Sequence, residues 1–382
     1  MPVQPPQPPS PAAIRSRKRV VREANAVDFW RGVALISIFI NHIPGIYYDK
    51  FTHRNFSFSD SADLFVFLAG WAFRLSIGRP EDPTPMKRVM YRVGGRIVIL
   101  YVAQITIVTI AIGMLAVAAR LLDNPLLLEW HNAAAVFYDP VSAHIGLMLL
   151  TYQLGYFDIL PLYVVLIMMA PFIVIIHRKA PNFLFPISLA IYLYALTYQV
   201  SLPAWPSDDQ WFFNPLAWQL VFVLGFLMAR ERGIGGYVRR NINHLRIVAV
   251  PILIWSALAS MSDGFWPDPT LVPEPKLLFL ISKTYATPPR LIQFLALVAL
   301  VSVAFPWIKS HAGPIVEALA KLGRNSLHVF CVGSVLSLGG QIVRLIYKGD
   351  ILVDTAIVVV GLTLLYVTAW LAEKREQREK RV

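Results

Sequence analysis

Apolar residues gather along the chain into ten long stretches, at 27–46, 60–78, 93–119, 158–177, 184–201, 212–230, 246–262, 290–308, 325–346 and 352–372, with charged or proline-rich segments between them. Each approaches the roughly 20 residues that a helix needs to cross a bilayer. Backbone groups in lipid must pair within their own segment, so every stretch predicts a helix. Nowhere does the short alternation of a membrane β-barrel appear. The pattern predicts an all-α, polytopic integral membrane protein, a helical bundle of about ten transmembrane helices.

Composition removes the main competitor. A chain of 382 residues has the length of two or three soluble domains. It is 56% hydrophobic and only 15% charged, against about 25% charged in soluble proteins, and so lacks the side chains to cover a water-facing surface. The net charge of +12 would suit a nucleic-acid binder, but its distribution explains it otherwise. With the N-terminus cytoplasmic, 25 of the 35 Lys and Arg residues fall on inside segments. Only six, Lys50, Arg54, Lys276, Lys283, Arg290 and Lys348, fall on outside ones. The positive-inside rule then places both termini in the cytoplasm, and no nucleic acid is expected as a partner. One cysteine, Cys331, excludes an internal disulfide and a Cys-rich metal site.

The stretch 27–46 is too long for a signal-peptide core and reads as a span. Six prolines in the first dozen residues mark 1–25 as a disordered basic tail. The transmembrane body is 26–373 and a charged tail follows at 374–382. Between spans, 120–157 is aromatic, with a re-entrant or interfacial helix expected at 141–154. The segment 263–289, with six prolines, reads as irregular.

Ionisable residues at membrane depth are the first places to look for chemistry. In the first span Asp28 and Arg31 share a helix face and are spaced to pair. His42 lies eleven residues beyond Arg31, about three turns or ~16 Å further along the same stripe. Histidine suits a general base because it titrates near neutrality; an interfacial histidine satisfied by a neighbouring helix fits the spacing equally well. Asp60 and Asp63 open the second span, where carboxylates cap helices, and either is placed to orient His42 as in a hydrolase triad. Asp158 opens the fourth span. Lys87, Arg88, Arg92 and Arg96 form a cytoplasmic cluster with helical spacing, which reads as ordinary inside charge or as a phosphate clamp. In the sixth span Trp218 reads as buried or as a belt aromatic, and Gln219 as a bond across helices. There is no G-x-S-x-G elbow, P-loop or metal signature.

Several segments carry a resemblance. VDFWRGVALISIFINH is similar to the first-span signature of the membrane acyltransferase family three, DLFVFLAGW to its second-span block, with Ala69 where serine is usual, and Arg88–Arg92 to its cytoplasmic Arg-x-x-x-Arg element. More narrowly, FTHRNFSFSDSADLFVFLAGWAF, FDILPLYVVL, FNPLAWQLVFVLGF and LGRNSLHVF together resemble the OpgC family, over about residues 26–345. That resemblance implies a multi-pass enzyme of the bacterial inner membrane. It implies O-acyl transfer, with succinyl-CoA as co-substrate and no bound cofactor, to hydroxyls of osmoregulated periplasmic glucans. The lipid bilayer, the acyl-CoA donor and the glucan are then its partners. His42 would be catalytic with Asp60, Asp63 or Asp158. Arg31, Lys87, Arg88 and Arg92 would hold the acyl-CoA. Asn41, Arg54, Trp218 and Gln219 would meet the acceptor. Acetyl transfer to another surface polysaccharide, or a ten-span transporter, are the competing expectations.

Overall fold

The structure, a computed structural model, describes residues 23–78, 82–262 and 268–379; nearly all of the expected N-terminal tail and the last three residues lie outside them. The chain runs through α1 (Ala26–Asn41), α2 (Ser61–Ser76) and α3 (Met86–Leu121). The short α4 (Ala134–Tyr138) and α5 (Pro140–Leu149) follow, then α6 (Ile159–Lys179), α7 (Leu184–Tyr198), α8 (Pro215–Met228), α9 (Ile234–Arg240) and α10 (Ile242–Met261). The last third is α11 (Pro288–Val301), α12 (Ala304–His311), α13 (Gly313–Arg324), α14 (Ser326–Tyr347) and α15 (Ile351–Glu379). Among the described residues the only β pairing is two isolated bridges.

Each of the ten apolar stretches contains a helix. Five of them, α3, α6, α10, α14 and α15, are long and apolar enough to cross a membrane, or six if α11 and α12, bent by 44° at their junction, count as one span. The helices in the other four stretches, α1, α2, α7 and α8, have only 14–16 residues. At 1.5 Å per residue these rise about 21–24 Å, short of the ~30 Å hydrocarbon thickness. The segment 120–157 is not one loop: it holds a 3-10 helix (Pro125–Asn132) followed by α4 and α5.

Three of the short helices, α1, α2 and α8, form the centre of the bundle. Of the 14 residues of α8, 12 are buried, and Trp218, Phe222 and Phe226 on it are among the largest fully buried side chains. Close approach is set by glycine. A Cβ at Gly70 of α2 would sit 1.9 Å from the Phe222 carbonyl oxygen, and one at Gly225 of α8 would sit 1.9 Å from that of Phe67. Small residues at helix crossings let backbones touch where the hydrophobic effect gives no drive between helices. Gly225→Ala should therefore force α2 and α8 apart and cost about 1–3 kcal/mol; thermal unfolding of the purified protein in detergent measures it, and an unchanged midpoint would refute the contact.

Local signals start these helices. Asn25 caps α1, its Oδ1 accepting from the Asp28 amide at 2.9 Å. Asp60 and Asp63 form a reciprocal capping box at α2. Asn214 caps α8 ahead of Pro215. These N-terminal ends of α2, α6 and α8 all face the same end of the bundle as the C-terminus of α1, and the site lies there.

Candidate active site

A cavity of about 830 Å³ opens at this end. His42, the residue that ends α1, lines it together with Asn41, Arg54, Asp60, His131, Tyr156, Asp158 and Lys283. Its backbone is held from α14: Gln341 donates its Nε2 to the His42 carbonyl at 2.5 Å, one turn from Ser337, which donates to the Phe39 carbonyl at 2.9 Å. Just beyond it, Arg344 donates to the Pro44 and Gly45 carbonyls at 2.6 and 2.7 Å and pairs with Asp354 at 2.6 Å. Thus α1 ends against a polar clamp, with the imidazole lining the cavity.

The His42 ring stacks against Tyr156, centroids 4.6 Å apart, and Tyr156 in turn meets His131 at 5.1 Å. Both partners come from irregular segments. His131, Asn132 and Tyr156 have φ of 58°, 61° and 67°, a left-handed backbone that side chains other than glycine rarely adopt. It is held by a hydrogen bond from the Gly155 amide N–H to the His131 carbonyl at 2.8 Å and by the Tyr152 hydroxyl donating to the Asn132 carbonyl. Strain of this sort persists where the surroundings over-determine it, and it clusters at functional sites. Gln341 Oε1 lies 2.7 Å from His131 Nε2. Because the amide nitrogen of Gln341 is already donated to His42, Oε1 is the acceptor and His131 Nε2 carries the proton. Burial pushes the His131 imidazole below its ordinary value, so it is neutral near pH 7. A second, more open cavity of about 570 Å³, lined by Trp130, Arg344 and Lys348 among others, shares His131 and Tyr156 with the first.

Opposite the imidazole lies an alternating charge network. Lys283 Nζ is 2.6 Å from Asp60, Asp60 is 3.4 Å from Arg290, and Arg290 grips Asp63 at 3.1 and 2.5 Å. Lys283 is fixed by its own backbone, whose carbonyl accepts from the Trp218 indole at 3.0 Å, and its ammonium lies over the Phe212 and Phe213 rings. Two cations and two carboxylates balance, so the network can stay ionised in a poorly solvated place.

A family model described as OpgC protein matches residues 22–377 of this sequence. The chain belongs to the OpgC family. No curated protein and no solved structure matches it. Membership makes it an acyltransferase-like, glucan-modifying enzyme, and its long apolar helices make it a membrane protein.

In this OpgC-family protein the residues singled out from the sequence separate into groups. His42, Asn41, Arg54, Asp60 and Asp158 converge on the larger cavity. Asp63 does not line it: 1% exposed, it is committed to Arg290 and to the Asp60 amide. Trp218 and Gln219 do not reach it either. Both are buried, Trp218 behind the Lys283 carbonyl and Gln219 in mutual bonds with Ser188, because α8 is the central helix and has no free face. A triad is absent too, since the His42 ring makes no hydrogen bond within the described residues and its Nδ1 is buried without a partner. Lys87, Arg88 and Arg92 lie at the other end of the bundle, and Arg31 lies between the two ends, beside the middle of α2. Arg31 is half-buried and donates to the Leu68 carbonyl at 2.9 Å; Arg92 donates to that of Ser76 at 3.1 Å; Lys87 and Arg88 are exposed.

Lys283, His131, Tyr156 and Gln341 were not among the sequence candidates. A signal for Lys283 existed. Of the six cations that the positive-inside rule leaves on the outer side, Arg54 and Lys283 line the main cavity, Lys348 lines the second, and Arg290 anchors the wall.

Proposed function

We propose that this protein moves a succinyl group from cytoplasmic succinyl-CoA to a hydroxyl of a periplasmic glucan, across the bacterial inner membrane. The reading rests on one observation above the others: an imidazole at the end of a helix, free of hydrogen bonds within the described residues, lining a large cavity at the end of the bundle away from the basic cluster. In this reading His42 takes the proton of a glucan hydroxyl as that oxygen attacks the thioester carbonyl carbon. The new C–O bond forms and the carbonyl oxygen becomes an oxyanion. Collapse breaks the C–S bond, and the departing thiolate takes the proton from the imidazolium. Lys283 offers positive charge to the oxyanion, while Asp60 holds Lys283 in place. Asn41, with its buried Oδ1 unpartnered, is an acceptor for a sugar hydroxyl.

The donor's nucleotide would stay near Arg88, Arg92 and Arg31, with the pantetheine arm reaching inward. Support comes from the depth of the cavity. Phe330, in the first turns of α14, lines it together with Ile38, one turn before His42 on α1. Arg54 has no hydrogen bond or ion pair within the described residues, lines the cavity and acts electrostatically on His42. It is placed to meet the free carboxylate of a succinyl group, which an acetyl group lacks.

The test is transfer by the purified protein in liposomes, read by mass spectrometry of the glucan. Succinyl-CoA should add a succinyl mass increment, and Arg54→Gln should lower kcat/KM for succinyl-CoA at least about tenfold, the scale of one charge-assisted contact, while leaving acetyl-CoA use unchanged. A glucan left unmodified by the wild-type protein would overturn the function. Equal loss with both donors would overturn the role of Arg54.

A further inference from the structure

At the end of the bundle opposite the His42 cavity, the last turns of α2, α6 and α8 bring four nitrogen bases together. Phe226 of α8 stands at the centre: the Arg74 guanidinium lies 6.0 Å from its ring and the His177 ring meets it edge-on at 5.1 Å. Arg178 follows His177 directly, and Arg230 lies just beyond α8; Arg74, Arg178 and Arg230 all act electrostatically on His177. Arg239, folded back from α9, donates to the Arg230 and Met228 carbonyls at 2.7 and 3.0 Å.

None of these four arginines has a carboxylate partner among the described residues. Arg74 donates to the Gly78 carbonyl at 2.9 Å and Arg178 to the Thr84 carbonyl at 2.6 Å; the side chain of Arg230 makes no hydrogen bond there. Arg74 Nε and His177 Nδ1 are buried without any partner. Elsewhere three half-buried or buried arginines pair with acids, Arg290 with Asp63, Arg324 with Glu373 and Arg344 with Asp354, while Arg246 is held by the Ala299 carbonyl, Asn243 and Ser302. Helix ends explain part of the cluster. A helix C-terminus carries about half a negative charge, so three of them offset about 1.5 of the three guanidinium charges of Arg74, Arg178 and Arg230. Between one and two positive charges are left, with two buried nitrogens unsatisfied.

We propose that Arg74, His177, Arg178 and Arg230 form a binding site for a phosphate-bearing anion on the basic face of the membrane domain. Guanidinium forks match phosphate oxygens with paired donors, and the uncompensated charge fits a phosphate monoester or pyrophosphate better than a single carboxylate. Arg92 of α3 borders it, donating to the Ser76 carbonyl at 3.1 Å on the same turn whose Gly78 carbonyl accepts from Arg74. Two sources carry this chemistry: the nucleotide part of an acyl-CoA, which rests on the function proposed above, and the headgroup of an anionic lipid, which does not.

The experiment uses the full chain in nanodiscs. In discs of phosphatidylcholine alone, binding of CoA, dephospho-CoA and inorganic pyrophosphate is measured by titration calorimetry. In discs with cardiolipin added, retained lipid is counted by native mass spectrometry. Variants are Arg74→Gln, Arg230→Gln and their double, with Arg120→Gln, from the far end of α3, as control. Should Arg74→Gln fail to fold, Arg230→Gln decides, because its side chain holds no structural hydrogen bond. A nucleotide source predicts that Arg230→Gln weakens CoA and pyrophosphate at least tenfold, with Arg→Lys restoring part of the loss and the control unchanged. A lipid source predicts unchanged CoA binding with loss of retained cardiolipin. Unchanged binding of every probe would overturn the site. Because these readouts are of binding, they stand apart from acyl transfer: a wild-type protein that binds CoA here yet modifies no glucan would refute the proposed function and leave the site intact.

Discussion

Replacing His42 by alanine should lower acyl transfer by about 10²–10⁴-fold, the range that a general acid–base group contributes, with little change in stability. The stability half of that expectation comes from the structure. The ring makes no hydrogen bond within the described residues, and the elements that end α1 hold its backbone instead: Gln341 on the His42 carbonyl and Arg344 on Pro44 and Gly45. Alanine keeps all of these and loses only the stacking on Tyr156. Rates are measured with the reconstituted protein and the unfolding midpoint in the same preparation. Residual activity above a tenth of wild type would move the base elsewhere, and His131, 5.1 Å beyond Tyr156, would then be the imidazole to replace.

The largest stability effect is expected from Arg290→Met. Arg290 is 5% exposed and Asp63 1%, and the two are joined by a two-pronged contact, with Arg290 also donating to the Phe58 carbonyl at 2.5 Å. Removing the cation leaves a buried carboxylate without compensation and should cost about 3–5 kcal/mol. The double change Arg290→Met with Asp63→Leu removes both charges and should recover most of that loss, since well-packed apolar side chains replace buried ion pairs at little cost. Thermal unfolding of the single and double variants in detergent separates the cases. If the single variant were as stable as wild type, the pair would not be a buried strut at all. Because Asp60 lies 3.4 Å from Arg290 and 2.6 Å from Lys283, the single variant should also disturb the cavity wall and lower activity in what remains folded.

Much of the site was legible before any coordinates. The eleven-residue interval from Arg31 to His42 placed the two groups at opposite ends of one helix, and the Asp60–Asp63 spacing announced a capped helix start; both appear in the structure. The split of the two aspartates was not legible. Three residues apart, they look equivalent, yet Asp60 faces the cavity and Asp63 faces Arg290, 227 positions away in sequence. Trp218 is buried and Gln219 bonds across helices to Ser188, as their span suggests; only the contact with the acceptor that the resemblance implied lies away from the cavity, because hydropathy shows that a helix is apolar, not whether it is enclosed by other helices. His131, at a non-helical kink within the 3-10 helix Pro125–Asn132, and Tyr156, outside any helix, sit on backbone with positive φ, and no local pattern predicts where such residues aim their rings.

What the sequence determined by itself was a helical membrane protein with the family's signature blocks and a histidine at one helix end. Those features depend on local energetics: apolar content against lipid, helix periodicity, capping and the bias of positive charge. The tertiary structure decided which partner each polar group takes. It chose Lys283 over His42 for Asp60, Arg290 for Asp63, and left the arginines around Phe226 without an acid among the described residues. Such pairings depend on contacts between residues up to hundreds of positions apart, whose free energy exists only once the helices have packed.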